Sequence, residues 1–169
     1  MATGGFSTKN NSIAYFDVPL IQYLLTFFMF LAGTNYTIIY FGLKGKLKKV
    51  WKSDEFKTYV ILLLSLMFVI TCLVYNFTDH SLEQSFRDST FQIVSIITTT
   101  GFVSADYTSW SPGLTLVFFC LLFIGGCAGS TSGGIKVIRH LVLIKNTFLE
   151  FNLLIFCKYI LIHEKNIVL

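Results

Sequence analysis

Two polar stretches interrupt the apolar sequence in the second half of this chain, and they decide its fold. The first is Thr98-Thr99-Thr100-Gly101-Phe102. The second is Gly125-Gly126-Cys127-Ala128-Gly129-Ser130-Thr131-Ser132-Gly133-Gly134. Apolar segments flank both, and non-helical backbone at membrane depth survives only where protein buries it or where it lines water. Carbonyl oxygens held there can replace the water shell of a cation. The first stretch is therefore predicted to be a selectivity filter.

The composition indicates a membrane protein. Of the 169 residues, 54% are hydrophobic and 13% are charged, and a soluble domain carries about 25% charged residues. The net charge of +4 does not indicate nucleic-acid binding, because six lysines lie in one segment between two apolar runs: Lys44, Lys46, Lys48, Lys49, Lys52 and Lys57. Such clusters mark cytoplasmic loops. We therefore predict a multi-pass protein of the inner (plasma) membrane, with a lysine-rich cytoplasmic loop at residues 42–57.

A second copy of the filter motif lies near the start of the chain, 96 residues earlier. It consists of Thr3, Gly4, Gly5 and Phe6. Each copy precedes a proline, Pro19 or Pro112, that opens an apolar run, and proline is well tolerated in the first turn of a helix. The same parts in the same order predict an internal repeat.

Two membrane-spanning helices are predicted from apolar length. A bilayer core of ~30 Å needs roughly 20 helical residues. Residues 19–41 carry no charge and are predicted to form one span, and residues 58–77 form the next. The small and polar residues within the first span are predicted to be a helix-packing face; they are Gly33, Thr34, Asn35 and Thr37.

A short helix over residues 82–97 is predicted to lead into the filter. Ser81 and Gln84 have the spacing of a capping box at its start. It is too short and too polar to span, so we predict a re-entrant pore helix that ends at Thr98. Its C-terminal dipole would favour a cation. A helix lying in the membrane interface is the alternative.

The glycine-rich stretch is predicted to break the second helix of this repeat. A continuous helix over residues 113–146 would be about 50 Å long, and five glycines between residues 125 and 134 oppose it. We predict a gating loop at that break, with Lys136 facing protein or water. Close helix packing through glycines is the alternative. A phosphate-binding loop is excluded, because Ile135 splits the required Gly-Lys pair.

Nothing in the sequence indicates an enzyme or a covalently bound cofactor. We find no acid–base pair, and the cysteines lack any metal-ligand spacing. They are predicted to be small packing residues: Cys72, Cys120, Cys127 and Cys157.

Residues 93–102 and 123–139 closely resemble the Trk/Ktr/HKT potassium transporter superfamily. In that family four helix–pore loop–helix repeats surround one pore, and two subunits pair. The resemblance implies an all-α integral membrane protein with an incomplete channel-like fold. It divides the chain into the filter strand and second helix of one repeat (1–41), the lysine-rich loop (42–57), a complete repeat (58–149) and an atypical tail that suggests a truncated or frameshifted fragment (150–169).

The resemblance also implies roles for individual residues. K⁺ would bind the backbone carbonyls of Thr99, Thr100 and Gly101, within a filter that also includes Thr98, Phe102 and the earlier copy of the motif. The gate would be Gly125–Gly134 with Lys136. Implied partners are membrane lipid, a second copy in a homodimer, and a TrkA-like nucleotide-binding regulatory subunit on the cytoplasmic face. A non-conducting fragment that acts only in assembly is the alternative, because one and a half repeats cannot close a four-part ring.

Overall fold

The fold is all-α, as the sequence predicts. A computed structural model describes residues 3–9, 11–16, 18–78 and 81–167, with the backbone alone from residue 154. Within these ranges no strand occurs, although Ile124 and Ile135 form an isolated parallel β-bridge. A 3-10 helix at Ser12–Tyr15 precedes seven α-helices in the described ranges: α1 (Pro19–Ala32), α2 (Tyr36–Leu43), α3 (Leu47–Lys52), α4 (Asp54–Phe77), α5 (Leu82–Ile97), α6 (Pro112–Leu121) and α7 (Val137–Ile167).

Helix α4 is the clearest membrane span. Its 24 residues have a mean hydropathy of 2.5 in their most apolar window, and at ~1.5 Å per residue they exceed the bilayer core. It begins at Asp54, four residues before the predicted start at Thr58. The Ser53 hydroxyl accepts a hydrogen bond from the Phe56 N–H at 3.4 Å, and acidic residues in a first turn are favourable. These polar residues extend the helix beyond the apolar run.

Residues 19–41, predicted to form the first span, do not form one continuous helix, and their crossing of the membrane stays a prediction. α1 and α2 meet at a break of 110°. The Asn35 side chain caps the new helix by accepting from the Thr37 N–H at 2.8 Å. The Gly33 carbonyl accepts instead from the Cys127 N–H at 2.9 Å. The residues predicted as a packing face therefore do contact another segment, but they do so by ending one helix and starting another.

The segment predicted as a lysine-rich loop contains a short helix. α3 buries Val50 and leaves Lys48, Lys49 and Lys52 exposed. This one-sided burial explains why a sequence rich in lysine is helical here, because one apolar side chain packs while the charges stay in water.

Helix α5 has the predicted bounds and is the most enclosed element. The Ser81 hydroxyl accepts from the Gln84 N–H at 3.3 Å, as the capping motif predicts. Ten of its 16 residues are buried, and it packs against both α1 and α4. A surface helix does not fit this burial. That α5 dips into the membrane remains a prediction.

The last apolar run is broken, as the glycines predict. α6 ends at Leu121 and α7 begins at Val137. The chain divides into two compact units, residues 1–137 and 138–169, and the candidate site described below lies in the first. α7 continues across residue 150, so the predicted start of the tail falls inside a helix that contains no glycine or proline. Residues 168 and 169 of that tail lie outside the described residues.

Candidate ion-conducting site

The two predicted filter motifs face each other through their glycines. Gly5 and Gly101 have φ values of +63° and +78°, a left-handed conformation that glycine adopts without steric cost. A β-carbon built on Gly5 would stand 2.8 Å from the carbonyl oxygen of Gly101 and 3.1 Å from that of Thr100. A side chain on Gly5 would collide with the opposing backbone, whereas a β-carbon on Gly101 would lie 3.5 Å from the Gly5 α-carbon, so that position favours glycine through its positive φ alone.

The turn after α5 leaves backbone carbonyl groups without hydrogen-bond donors. The N–H groups of Thr99 and Thr100 still bond back into the helix, to Ile96 and Ser95 at 2.9 Å each. Thr99 then takes a positive φ of 52°, which turns the chain out of the helix. Within the described residues, the carbonyl oxygens of Thr99, Thr100 and Gly101 accept no hydrogen bond. They are the oxygens that the sequence assigns to K⁺.

The threonine hydroxyls have other partners. Thr98 and Thr100 are buried, and their hydroxyls lie 2.8 Å apart. Thr98 also donates to the Val94 carbonyl at 2.7 Å. The Thr99 hydroxyl accepts from the Gly133 N–H at 2.7 Å. These side chains stabilise the turn and the adjoining loop, so the oxygens of this turn that accept no hydrogen bond are those of the backbone.

Phe102 marks the end of the free carbonyls. Its carbonyl oxygen accepts from the Ser95 hydroxyl at 2.7 Å, so it points back into the protein although the sequence places it in the filter. Three residues earlier on α5, the Gln92 amide donates to the Ala105 carbonyl at 2.8 Å. Sequence analysis missed both side chains. Their spacing of three residues could have indicated these contacts, because polar side chains three apart lie on the same face of a helix.

The N-terminal motif is joined to the filter turn and to the glycine-rich loop. The Thr3 hydroxyl donates to the Thr131 carbonyl at 3.1 Å. Further along, the N–H groups of Ile13 and Ala14 both bond to the Val103 carbonyl at 3.1 Å. Phe6 lies outside this contact, with 89% of its surface exposed. Thr3 and Gly5 thus take part in the site, whereas the Phe6 side chain does not.

The glycine-rich loop is closed on itself. The Gly125 N–H bonds to the Ile135 carbonyl at 2.9 Å, and the Ile135 N–H bonds to the Phe123 carbonyl at 3.2 Å. A β-carbon on Gly125 would overlap the carbonyl oxygen of Gly133. The Ser132 hydroxyl accepts from the Gly126 N–H at 2.9 Å. The Lys136 ammonium donates to the same residue, Ser132, at its carbonyl and hydroxyl oxygens.

This loop also packs into the break between α1 and α2. A β-carbon on Gly126 would stand 2.6 Å from the Gly33 carbonyl oxygen. The Thr131 hydroxyl donates to the Ala32 carbonyl at 3.2 Å. The Gly129 carbonyl accepts from the Tyr36 N–H at 3.4 Å. One loop therefore contacts the filter turn, the N-terminal motif and the bend, which share no proximity in sequence.

The cysteines differ in environment. Cys127 is fully buried, as predicted for a small packing residue, while Cys72 and Cys120 are exposed. Those two are therefore not core residues of the described structure, although Cys72 lines a groove with Leu82 and Phe86 of α5. The side chain of Cys157 lies outside the described residues. No group of three potential metal-ligating side chains occurs among the residues described.

The site combines two left-handed glycine turns, a buried helix that leads into one of them, and an irregular loop packed against both. This combination is typical of a helical membrane protein of the pore-loop class. Comparisons with known proteins agree. The family described as TrkH, a cation transport protein, matches residues 1–167. This chain belongs to the TrkH family, which confirms the resemblance seen in the sequence, together with the all-α fold and the membrane location.

Individual relatives are similar over nearly the whole chain. The Trk system potassium uptake protein TrkH of Salmonella typhimurium is 39% identical over 148 residues, which are 86% of this chain and 30% of the relative. The TrkH protein of Escherichia coli is 39% identical over 151 residues. The crystal structure of the potassium transporter TrkH from Vibrio parahaemolyticus matches with a TM-score of 0.84 and 35% identity over 91% of this chain and 34% of that chain. The chain thus spans about a third of the length of these relatives, which are named as transport proteins.

Proposed function

We propose that this chain forms part of the permeation pathway of a potassium uptake transporter. K⁺ exchanges its water shell for the carbonyl oxygens of Thr99, Thr100 and Gly101, with the Gly5 strand supplying a second side of the same filter. The single observation that carries this proposal is the direct opposition of Gly5 and Gly101. Left-handed glycines place bare backbone on both sides of one narrow space, and carbonyl rings of this kind select among cations.

The loop Gly125–Gly134 acts as the gate. Support comes from the hydrogen bond between the Gly133 N–H and the Thr99 hydroxyl. This bond joins the loop to Thr99, whose carbonyl oxygen accepts no hydrogen bond. The loop is built from small residues and leaves the helical path after α6, which is the kind of segment that can change conformation. Lys136 donates to Ser132, and this contact fixes the ammonium within the protein.

A chimaeric transporter tests the function. The segment of Escherichia coli TrkH that matches this chain is replaced by the residues of this chain, and the product is expressed in a strain that lacks potassium uptake. We expect growth at low potassium and measurable rubidium uptake. Gly101→Ser should lower the preference for K⁺ over Na⁺, because a side chain enters a left-handed turn between two backbones.

The control is Gly113→Ser at the start of α6, where a β-carbon has only the Ser111 hydroxyl within 4 Å, at 3.8 Å. It should leave ion preference unchanged. A chimaera that reaches the membrane but takes up no potassium contradicts the proposal, as does an unchanged preference in Gly101→Ser. Rescue of growth by the chain expressed alone would rule out the alternative of a non-conducting assembly fragment.

We also propose the partners that this function requires. They are surrounding lipid, a second copy of the complete subunit, and a TrkA-like nucleotide-binding regulatory subunit that docks on the lysine-rich side at residues 42–57. Co-purification of the chimaera with TrkA, lost when the six lysines of that segment are replaced by glutamine, is the expected result. Retention of TrkA by the glutamine variant would place the docking surface elsewhere.

A further inference from the structure

A carboxylate from the start of α4 reaches the glycine-rich loop. The Ala128 N–H donates to a carboxylate oxygen of Glu55, 73 residues earlier in the chain. Both residues are half-buried. Sequence analysis did not single out Glu55, which lies among the lysines of the predicted cytoplasmic loop.

This contact differs in kind from the other bonds that hold the loop. The loop residues Gly125–Gly134 bond to earlier segments through neutral groups: the Gly33 and Ala32 carbonyls, the Thr99 and Thr3 hydroxyls and the Tyr36 N–H. Among the described contacts to segments before α6, Glu55 supplies the one charged partner. A hydrogen bond to an ionised group is roughly twice as strong as a neutral one, so this bond is stronger than each of the neutral bonds taken singly.

The Glu55 side chain is available for this contact because another residue caps the N-terminus of α4. The Ser53 hydroxyl accepts from the Phe56 N–H, which satisfies the first turn. Both salt bridges found in the described part of the chain involve Arg87 of α5. The first turn of a long, rigid helix therefore presents a carboxylate to a loop amide, and partial burial limits the screening of its charge.

We propose that Glu55 is a positioning residue that holds the glycine-rich loop against the filter turn. The consequence for transport rests on the proposed function. Movement of the loop away from Thr99 must also break the bond between Ala128 and Glu55. Removing the charge therefore favours the displaced loop, and conduction rises where an ordinary structural lesion would lower it.

The buried Cys127, next to Ala128, reports loop position without any transport. The full chain is prepared in membranes with Cys72, Cys120 and Cys157 replaced by serine, and Cys127 is reacted with a water-soluble thiol reagent. We expect Glu55→Ala to raise the labelling rate about tenfold, and Glu55→Gln to give a smaller rise because its amide oxygen still accepts a neutral hydrogen bond. Glu83→Ala, which removes an exposed carboxylate at the start of α5, should leave the rate unchanged.

A second reporter separates local release from general loosening. Ser89→Cys, with Cys127 then also replaced by serine, places a thiol at a fully buried position of α5. It should stay unreactive in every Glu55 variant. Equal labelling of Cys127 in Glu55→Ala and in the parent chain would overturn the proposal. So would simultaneous exposure of the α5 reporter, because the lesion would then not be confined to the loop.

Flux through the chimaera distinguishes this inference from the proposed function. Glu55→Gln should raise rubidium uptake, whereas Glu83→Gln should not. Faster labelling in a chimaera that never conducts would uphold Glu55 as the loop anchor and contradict the function. A conducting chimaera in which Glu55 substitutions change neither the labelling rate nor rubidium uptake would support the proposed function and contradict the positioning role of Glu55.

Discussion

The backbones of Gly5 and Gly101 approach each other so closely that a methyl group on Gly5 would stand 2.8 Å from the Gly101 carbonyl oxygen. Both residues have positive φ values. The contact joins segments 96 residues apart, each with the same motif. Two segments that the sequence predicts to be equivalent parts of a repeat therefore meet at one point, and the effect of a substitution at that point can be measured.

Gly5→Ala should destabilise the chain by about 2 kcal/mol or more, because the left-handed conformation is strained for alanine and its methyl group overlaps the opposing carbonyl. Thermal unfolding of the purified chain in detergent measures the loss. Gly4→Ala is the matched control, since its β-carbon meets the exposed Phe6 ring, which can turn away. Equal stability of the two variants would show that the backbones do not touch.

Ser95→Ala should loosen the filter turn. It removes the hydroxyl that binds the Phe102 carbonyl at 2.7 Å, and an unmet buried carbonyl costs about 1–3 kcal/mol. We expect weaker discrimination between K⁺ and Na⁺ in the chimaera, measured by competition with rubidium uptake. Ser65→Ala removes an exposed hydroxyl that bonds within α4 and should have no effect. Unaltered discrimination in Ser95→Ala would mean that this bond does not shape the filter.

Gly33→Ala should destabilise the bend between α1 and α2. Its β-carbon would overlap the Tyr59 hydroxyl and stand 2.7 Å from the Thr98 methyl group, and overpacking of this kind typically costs 1–3 kcal/mol, a rough range. Tyr59→Phe should recover part of the loss, which a double-mutant cycle detects.

The control for the bend is Gly42→Ala in α2, where a β-carbon meets nothing within 4 Å. Alanine is the better helix former, so this variant should be neutral or slightly stabilising. An additive effect of Gly33→Ala and Tyr59→Phe would contradict the contact.

The carboxylate of Asp106, in the loop before α6, should stabilise the fold at neutral pH and lose this effect at acid pH. Asp106 accepts from the Thr108 hydroxyl at 2.5 Å and from its N–H at 3.1 Å, and these bonds lower the pKa of Asp106. A lowered pKa in the folded state stabilises the fold above the unfolded pKa, about 3.9, and the effect disappears as pH falls through the folded value.

The difference in unfolding temperature between the parent chain and Asp106→Ala should therefore be constant from pH 7 to pH 5. It should shrink below about pH 4. A difference that grows as the pH falls would have the wrong sign and would reject the assignment.

Much of the architecture was predictable because its causes are local. The apolar length of residues 58–77 predicts α4, the Ser81 and Gln84 pair predicts the start of α5, and five glycines predict the break before α7. Each of these signals acts within one or two helical turns. The two misplaced boundaries also have local causes, since Ser53 extends α4 and Asn35 starts α2. The prediction used apolar length alone and did not take these two capping residues into account.

The sequence by itself determined the membrane class and the family, and it predicted the repeat and the filter glycines, because composition, periodicity and short motifs carry that information. Only the tertiary structure decided that Gly5 faces Gly101, that the chain bends by 110° at Gly33, and that Glu55 reaches Ala128. Each of these features depends on contact between segments far apart in the chain. A glycine, a buried carbonyl or a lone carboxylate has no local preference for its partner, so packing alone brings the pair together.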